Sequence, residues 1–298
     1  MRISGILSLF VFCLAASGTP ASSLVQGSVA LLSASSGVEL IMPGNDSMVL
    51  NATSMPHYTS GIMSIRGGPS EYLFAQTSNE VDLFFEGPGF FGVERFESML
   101  GTSESHARDL KDQQSRMILN LRKGILVVDS RHLDEASQLI LEAPFGRVYG
   151  AKALWFIRVD FDQRSGIYDF TIACMDGSVR LKDLADQSYF VYPGQRVAGA
   201  GSYLSPAIEV GKHTDQTLDQ FEDFDLFRSR YDLSKIDRTA LRERMLEIAL
   251  PAGRSTGLEV KSRSDKTPVV IEYVPRAPEM SPFRGEMRPP SDDQADLF

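Results

Sequence analysis

Apolar and polar positions alternate through much of the middle of the chain. Met117, Leu119 and Leu121 alternate with Ile118, Asn120 and Arg122. Trp155, Ile157, Val159 and Phe161 alternate with Phe156, Arg158, Asp160 and Asp162, and Tyr168, Phe170, Ile172 and Cys174 alternate with Asp169 and Thr171. A period of two sets one face of a strand on a core and the other in water. The pattern predicts strands from Arg116 onward, over 125–129, 138–142, 147–149, 155–162 and 168–174, with more at Val179, Leu181 and 189–192. Lys123-Gly124, Ala143-Pro144 and Pro193-Gly194 read as turns between them, and Asp176-Gly177 as a hairpin.

Upstream, short β-like runs occupy 28–32, 38–42, 48–51, 62–65, 72–75, 81–86 and 91–96. Pro43-Gly44-Asn45-Asp46, Gly67-Gly68-Pro69 and Gly87-Pro88-Gly89 punctuate them with turn chemistry. Gly and Pro recur too often for a sustained helical period, and the spacing suggests a sandwich, a roll or a short solenoid. Residues 101–114 are polar and interrupt the pattern. From Asp215 the composition turns helical to Arg230, and a second helix is expected from Ser234, which with Asp237 resembles a capping box, to a stop at Pro251. Residues 252–298 hold six prolines among mixed charges and read as a disordered tail, with VVIEYV at 269–274 as its one strand-like run.

The expected organisation is therefore a signal peptide over 1–21, an N-terminal β half over 22–100, a β core over 101–210, a helical segment over 211–251 and the tail over 252–298. The leader rests on Met1 and Arg2, then the apolar run ISGILSLFVFCLAA, then the small residues SGTPASS. The run is short against the roughly 20 residues a membrane helix needs. A cleaved leader implies a periplasmic or secreted protein; an uncleaved one implies a membrane anchor. Of two cysteines, Cys13 leaves with the leader and Cys174 remains, in an apolar alternation that suits a buried thiol. The formal net charge of −9 argues against a general nucleic-acid binder.

Candidate chemistry is sparse. His57, His106, His132 and His213 lack metal-ligand spacing, and no phosphate-cradling loop or nucleophile motif is present, so neither metal nor cofactor is expected. The carboxylate pairs Asp160/Asp162 and Asp183/Asp186 fit either surface charge or glycan hydrolysis. Phe90 and Phe91 beside the Gly-Pro-Gly step, and Phe221, Phe224 and Phe227 in the run FEDFDLF, are candidate partner-binding residues. For both groups core packing is the favoured reading.

The segments LRKGILVVDSR, SQLILEAPFGRVYGAKALWFIRV, YDFTIACMDGSVRL and YFVYPGQRVAG resemble, in order, the FecR family of periplasmic regulators. Ala143-Pro144-Phe145 stands at that family's proline step, and Gly150-Ala151-Lys152-Ala153-Leu154-Trp155 replaces its Gly-Thr-x-Phe step. The resemblance covers residues 60–200 and implies a FecR-like β-sandwich or β-roll body, with a short β-solenoid as the alternative, ahead of the C-terminal helices read from composition. Such regulators reach a sigma factor through a cytoplasmic segment ahead of a membrane span. Only Met1 and Arg2 precede the apolar run here, so that contact is not expected. The leading expectation is a non-enzymatic, exported binding or scaffold protein of the bacterial envelope, whose partner is an envelope protein or a polysaccharide. The alternatives are a glycan-acting envelope hydrolase and a signal-anchored periplasmic sensor that relays to a membrane partner.

Overall fold

The computed structural model describes residues 23–44, 46–100, 114–162, 164–202 and 205–230, with 236–237, 239–241 and 243–244 beyond them. The expected leader, the polar stretch 101–113, most of the second helix and the tail lie outside the described residues. Of two compact units, Met1–Glu259 carries every element below, and Val260–Phe298 lies outside the described residues.

The protein is mainly β. The first strands are β1 (Ser23–Gln26), β2 (Ser28–Ala34), β3 (Glu39–Ile41), β4 (Ser47–Val49), β5 (His57–Ser60), β6 (Met63–Gly67) and β7 (Tyr72–Thr77). Two long strands follow, β8 (Asp82–Leu100) and β9 (Ser115–Asp129). After them come β10 (Gln138–Ala143), β11 (Gly146–Tyr149), β12 (Leu154–Asp162), β13 (Ile167–Asp176) and β14 (Val179–Asp183). The set closes with β15 (Ser188–Val191), β16 (Gln195–Ser202), β17 (Ser205–Lys212) and the helix α1 (Asp215–Ser229).

Pairing organises these strands into two arms that share the β8–β9 ribbon. The first arm runs β5–β2–β7, then the start of β8, the end of β9, and β12–β13–β16–β17. The second runs β4–β3–β6, then the later part of β8, the start of β9, and β10–β11–β14–β15. β1 adds to the end of β8. Among the described residues only the β9–β10 pairing is parallel. One core cluster fills the space between the arms, taking Leu83, Leu126, Trp155, Ile157 and Ile172 from the first and Phe91, Leu119, Leu141, Val148 and Leu181 from the second. Phe145, at the β10–β11 turn, stacks on Phe170 of β13 with ring centroids 3.6 Å apart, so the arms meet face to face. Cys174 is a free thiol buried in that core. The expectation of a mainly β fold holds, with the described strands joined into one large mixed sheet that folds over a shared core.

Three expected turns play other roles. Gly87-Pro88-Gly89 and Lys123-Gly124 do not end strands; they lie inside β8 and β9, across from one another. The β8–β9 register shifts there, between Glu86 and Phe90 and again between Phe90 and Phe91. A Cβ on Gly89 would overlap the Lys123 carbonyl, and Gly124 sits at φ +113, so glycine is required on both strands. Bulges of this kind bend a paired ribbon without breaking it, which is how one ribbon serves both arms. The turn signals were real, and long-range pairing used them as a bend. Asp176-Gly177 is likewise not a hairpin. β13 pairs with β12 and β16, and β14 with β11 and β15, so this turn carries the chain from one arm to the other.

Candidate functional site

The two arms differ on their outer faces. On the first, Phe74, Phe84, Val127, Leu154, Phe156 and Ala173 form an apolar patch, and α1 covers it. Thr214 enters the helix in extended backbone, Asp215 lies in its first turn and Arg228 in its last, matching the helix dipole at each end. Phe221 and Phe224 fall one turn apart and point at the sheet. Phe221 meets Phe156 edge-on at 5.5 Å, and Phe224 meets Phe74 at 6.3 Å. Phe227, half-buried, packs on Tyr72 and Phe84 at 4.7 and 4.8 Å. Leu241, in the short helical stretch beyond, is buried against Val25 and Ala30. The three phenylalanines proposed for a partner are thus engaged by the chain's own sheet. Phe91 is in the core, stacked on Phe85 at 5.9 Å, and Phe90 lies half-buried at the ribbon bend.

An ion network pins the C-terminal end of α1. Asp82 of β8 and Asp129 of β9 are direct cross-strand partners, 2% and 1% exposed. Arg228 of α1 donates from Nε to Asp82 Oδ2 at 3.0 Å and holds Nη1 3.6 Å from Asp129 Oδ2. Gln76 donates to Asp82 Oδ1 at 2.6 Å. Arg131 grips Asp129 through two hydrogen bonds, 2.9 and 2.7 Å. Burial pushes the Asp82 carboxyl up to about 6, with a further upward push from Asp129, against the lowering bonds and charge of Gln76 and Arg228. Burial acts upward on Asp129 as well, but the hydrogen bonds and charge of Arg131, with the charge of Arg228, bring it below its ordinary value. Two carboxyls pushed apart in this way resemble an acid–base pair. They are closed off beneath α1 and bound to arginines, so they act as a latch for the helix rather than as a site open to substrate.

The carboxylates considered for hydrolysis are arranged differently. Asp160 is exposed and paired with Lys123 at 3.0 Å, and the hydrogen bond from Lys123 leads the causes that hold its carboxyl below the ordinary range. Asp162 accepts from Ser165 Oγ and the Arg164 amide, and it too is lowered. Neither is tuned to hold a proton for a leaving group. Asp183 caps its own turn by accepting from the Gln187 amide. Among the described residues no group of three His, Cys, Asp or Glu side chains is placed to hold a metal.

Among the described residues nothing covers the outer face of the second arm. Alternation turns Leu139, Leu141, Val148, Val179 and Leu181 inward and leaves their neighbours outside. Register then aligns Ile140 with Tyr149, Tyr149 with Arg180, and Arg180 with Phe190, in one row across β10, β11, β14 and β15. The Arg180 guanidinium lies over the Tyr149 ring, 4.5 Å from its centroid. Phe190 and Tyr192, each 52% exposed, stack at 6.5 Å with planes 16° apart. A groove of about 450 Å³ runs beside them, bordered by Gln138, Ile140, Tyr149, Ser178, Arg180 and Phe190. None of these residues was singled out in the sequence.

No family model matches the chain, and no curated protein matches it. Two crystal structures of a candidate anti-sigma factor from Parabacteroides distasonis ATCC 8503, at 2.50 and 1.65 Å resolution, are similar to it. Each is 9% identical, with TM-scores of 0.36 and 0.35, over 53% of this chain and 63% of that one. The chain therefore spans less than two thirds of the chain it matches, and a likeness at this level carries no argument about activity or partners.

Proposed function

We propose that the protein is a non-enzymatic binding or scaffold protein of the bacterial envelope, exported to the periplasm or beyond, and that it binds through the open outer face of the second arm. The observation that carries this reading is the contrast between the two faces. One apolar face is covered by α1. The other keeps Phe190 and Tyr192 in water beside a groove, where burial would have been favourable. Exposed aromatic surface of this kind marks an interaction site. The leader-like N-terminus supports export, and the FecR-like order of strands and turns in the sequence supports a sensor-type β module.

The test is co-sedimentation of the purified protein with isolated envelope fractions, comparing the wild type with a Phe190→Ala/Tyr192→Ala variant. Both changes are on exposed side chains and leave the core intact. Retention of the wild type and loss of the variant is the expected result. Equal retention of both would remove the binding role from this face.

A further inference from the structure

Resting on that reading of the open face, we propose that its occupant is an acidic polysaccharide chain, which lies along the aromatic row with a carboxylate on Arg180. Three observations point to this chemistry. Phe190 of β15 and Tyr192, the residue just past its end, stand at i and i+2 with nearly parallel planes. Both rings are half exposed, so the pair offers apolar surface at this end of the row to the C–H faces of sugar rings. Gln138 and Ser178 border the groove with amide and hydroxyl groups that match a polyol's hydrogen bonding.

The third observation is charge. Arg180 is exposed and stands midway along the row. The neighbouring cations are already neutralised: Arg147 pairs with Glu142 at 3.1 Å and Lys182 with Asp186 at 3.0 Å. Among the described residues Arg180 forms no ion pair; its contact is the Tyr149 ring. A guanidinium held by an aromatic face keeps its donor fork available for a carboxylate. A cation without an ion pair among the described residues, set beside aromatic rings, suits a chain whose sugars carry carboxylates. Nucleic acid would need a broader basic footprint. A proline-rich peptide is the competing occupant, and the experiment separates the two.

The experiment measures binding of the full chain to purified polygalacturonate, alginate and peptidoglycan, to methyl-esterified polygalacturonate, and to a proline-rich peptide. Binding to at least one acidic polymer is expected. For polygalacturonate, methyl esterification should weaken it about tenfold or more. Phe190→Ala/Tyr192→Ala should abolish binding, and Arg180→Gln should erase the preference for the acid over the ester while weaker stacking persists. Unchanged thermal unfolding of both variants would show that the fold is kept. Binding to none of the acidic polymers, equal binding of acid and ester, preferential binding of the peptide, or variants that bind like the wild type would each overturn the inference. If the envelope fractions still retain the wild type and lose the double variant while no acidic polymer binds, the surface stands and the glycan assignment fails. If retention ignores the variant, both fail.

Discussion

Asp82 shows how a single side chain departs from its surroundings. It stands between the buried Val81 and Leu83, where a charge has no business unless it is partnered. The groups that face it are Gln76 from β7, Asp129 from β9 and Arg228 from α1, with Arg131 behind Asp129. In the folded state its carboxyl keeps a proton up to a pH of about 6; unfolded, it gives that proton up at the ordinary carboxylate value. Between those two values the folded protein binds more protons, so stability falls as pH rises. Asp82 should contribute a loss of roughly 3 kcal/mol across that window. Glu86, raised by burial and by Asp223, acts in the same direction. Asp129 acts the other way, and lower: its contribution disappears only as pH drops below the ordinary range. Urea midpoints between pH 4 and 7 should therefore decline in the wild type and flatten in Asp82→Asn. Equal slopes would show that Asp82 titrates normally. Cys174, whose thiol burial pushes up to about 11, should resist alkylation in the folded protein and react on unfolding. Rapid native labelling would contradict its burial.

At the scale of elements, most strands were legible because alternation reports which side chains face a core. What the pattern could not carry was their pairing. Gly87-Pro88-Gly89 has the chemistry of a turn, and only the opposite bulge at Gly124 makes it a bend within a strand. Asp176-Gly177 has the chemistry of a hairpin, but its flanking strands find partners in different arms. The row Ile140–Tyr149–Arg180–Phe190 was illegible for the same reason, since it exists only after four strands fall into register. The helix was readable, and so was the ambiguity of FEDFDLF; the structure spends its phenylalanines on the sheet. Two predictions follow the elements. Gly89→Ala places a Cβ against the Lys123 carbonyl and should cost about 2 kcal/mol or more, read as a lowered urea midpoint. Phe224→Ala removes a fully buried ring from beneath α1 and should cost roughly 3–5 kcal/mol, with faster amide exchange in α1 than in β8. A neutral result at either position would disprove the corresponding contact.

For the whole molecule, the account comes down to an asymmetry. Two arms close on one core, α1 is latched over the outer face of one, and the outer face of the other presents aromatic rings and Arg180, which forms no ion pair among the described residues. That asymmetry ties the fold to the proposed function: the covered face supplies stability, and the open one is the face we propose for recognition. It is tested most directly by hydroxyl-radical footprinting of the full chain, alone and with isolated envelope fractions. The account predicts protection at Phe190 and Tyr192, with Tyr149 following, and no change at residues of α1. Protection confined to α1 or to the ribbon bend at Phe90, or none at Phe190 and Tyr192 when the protein is bound, would contradict it.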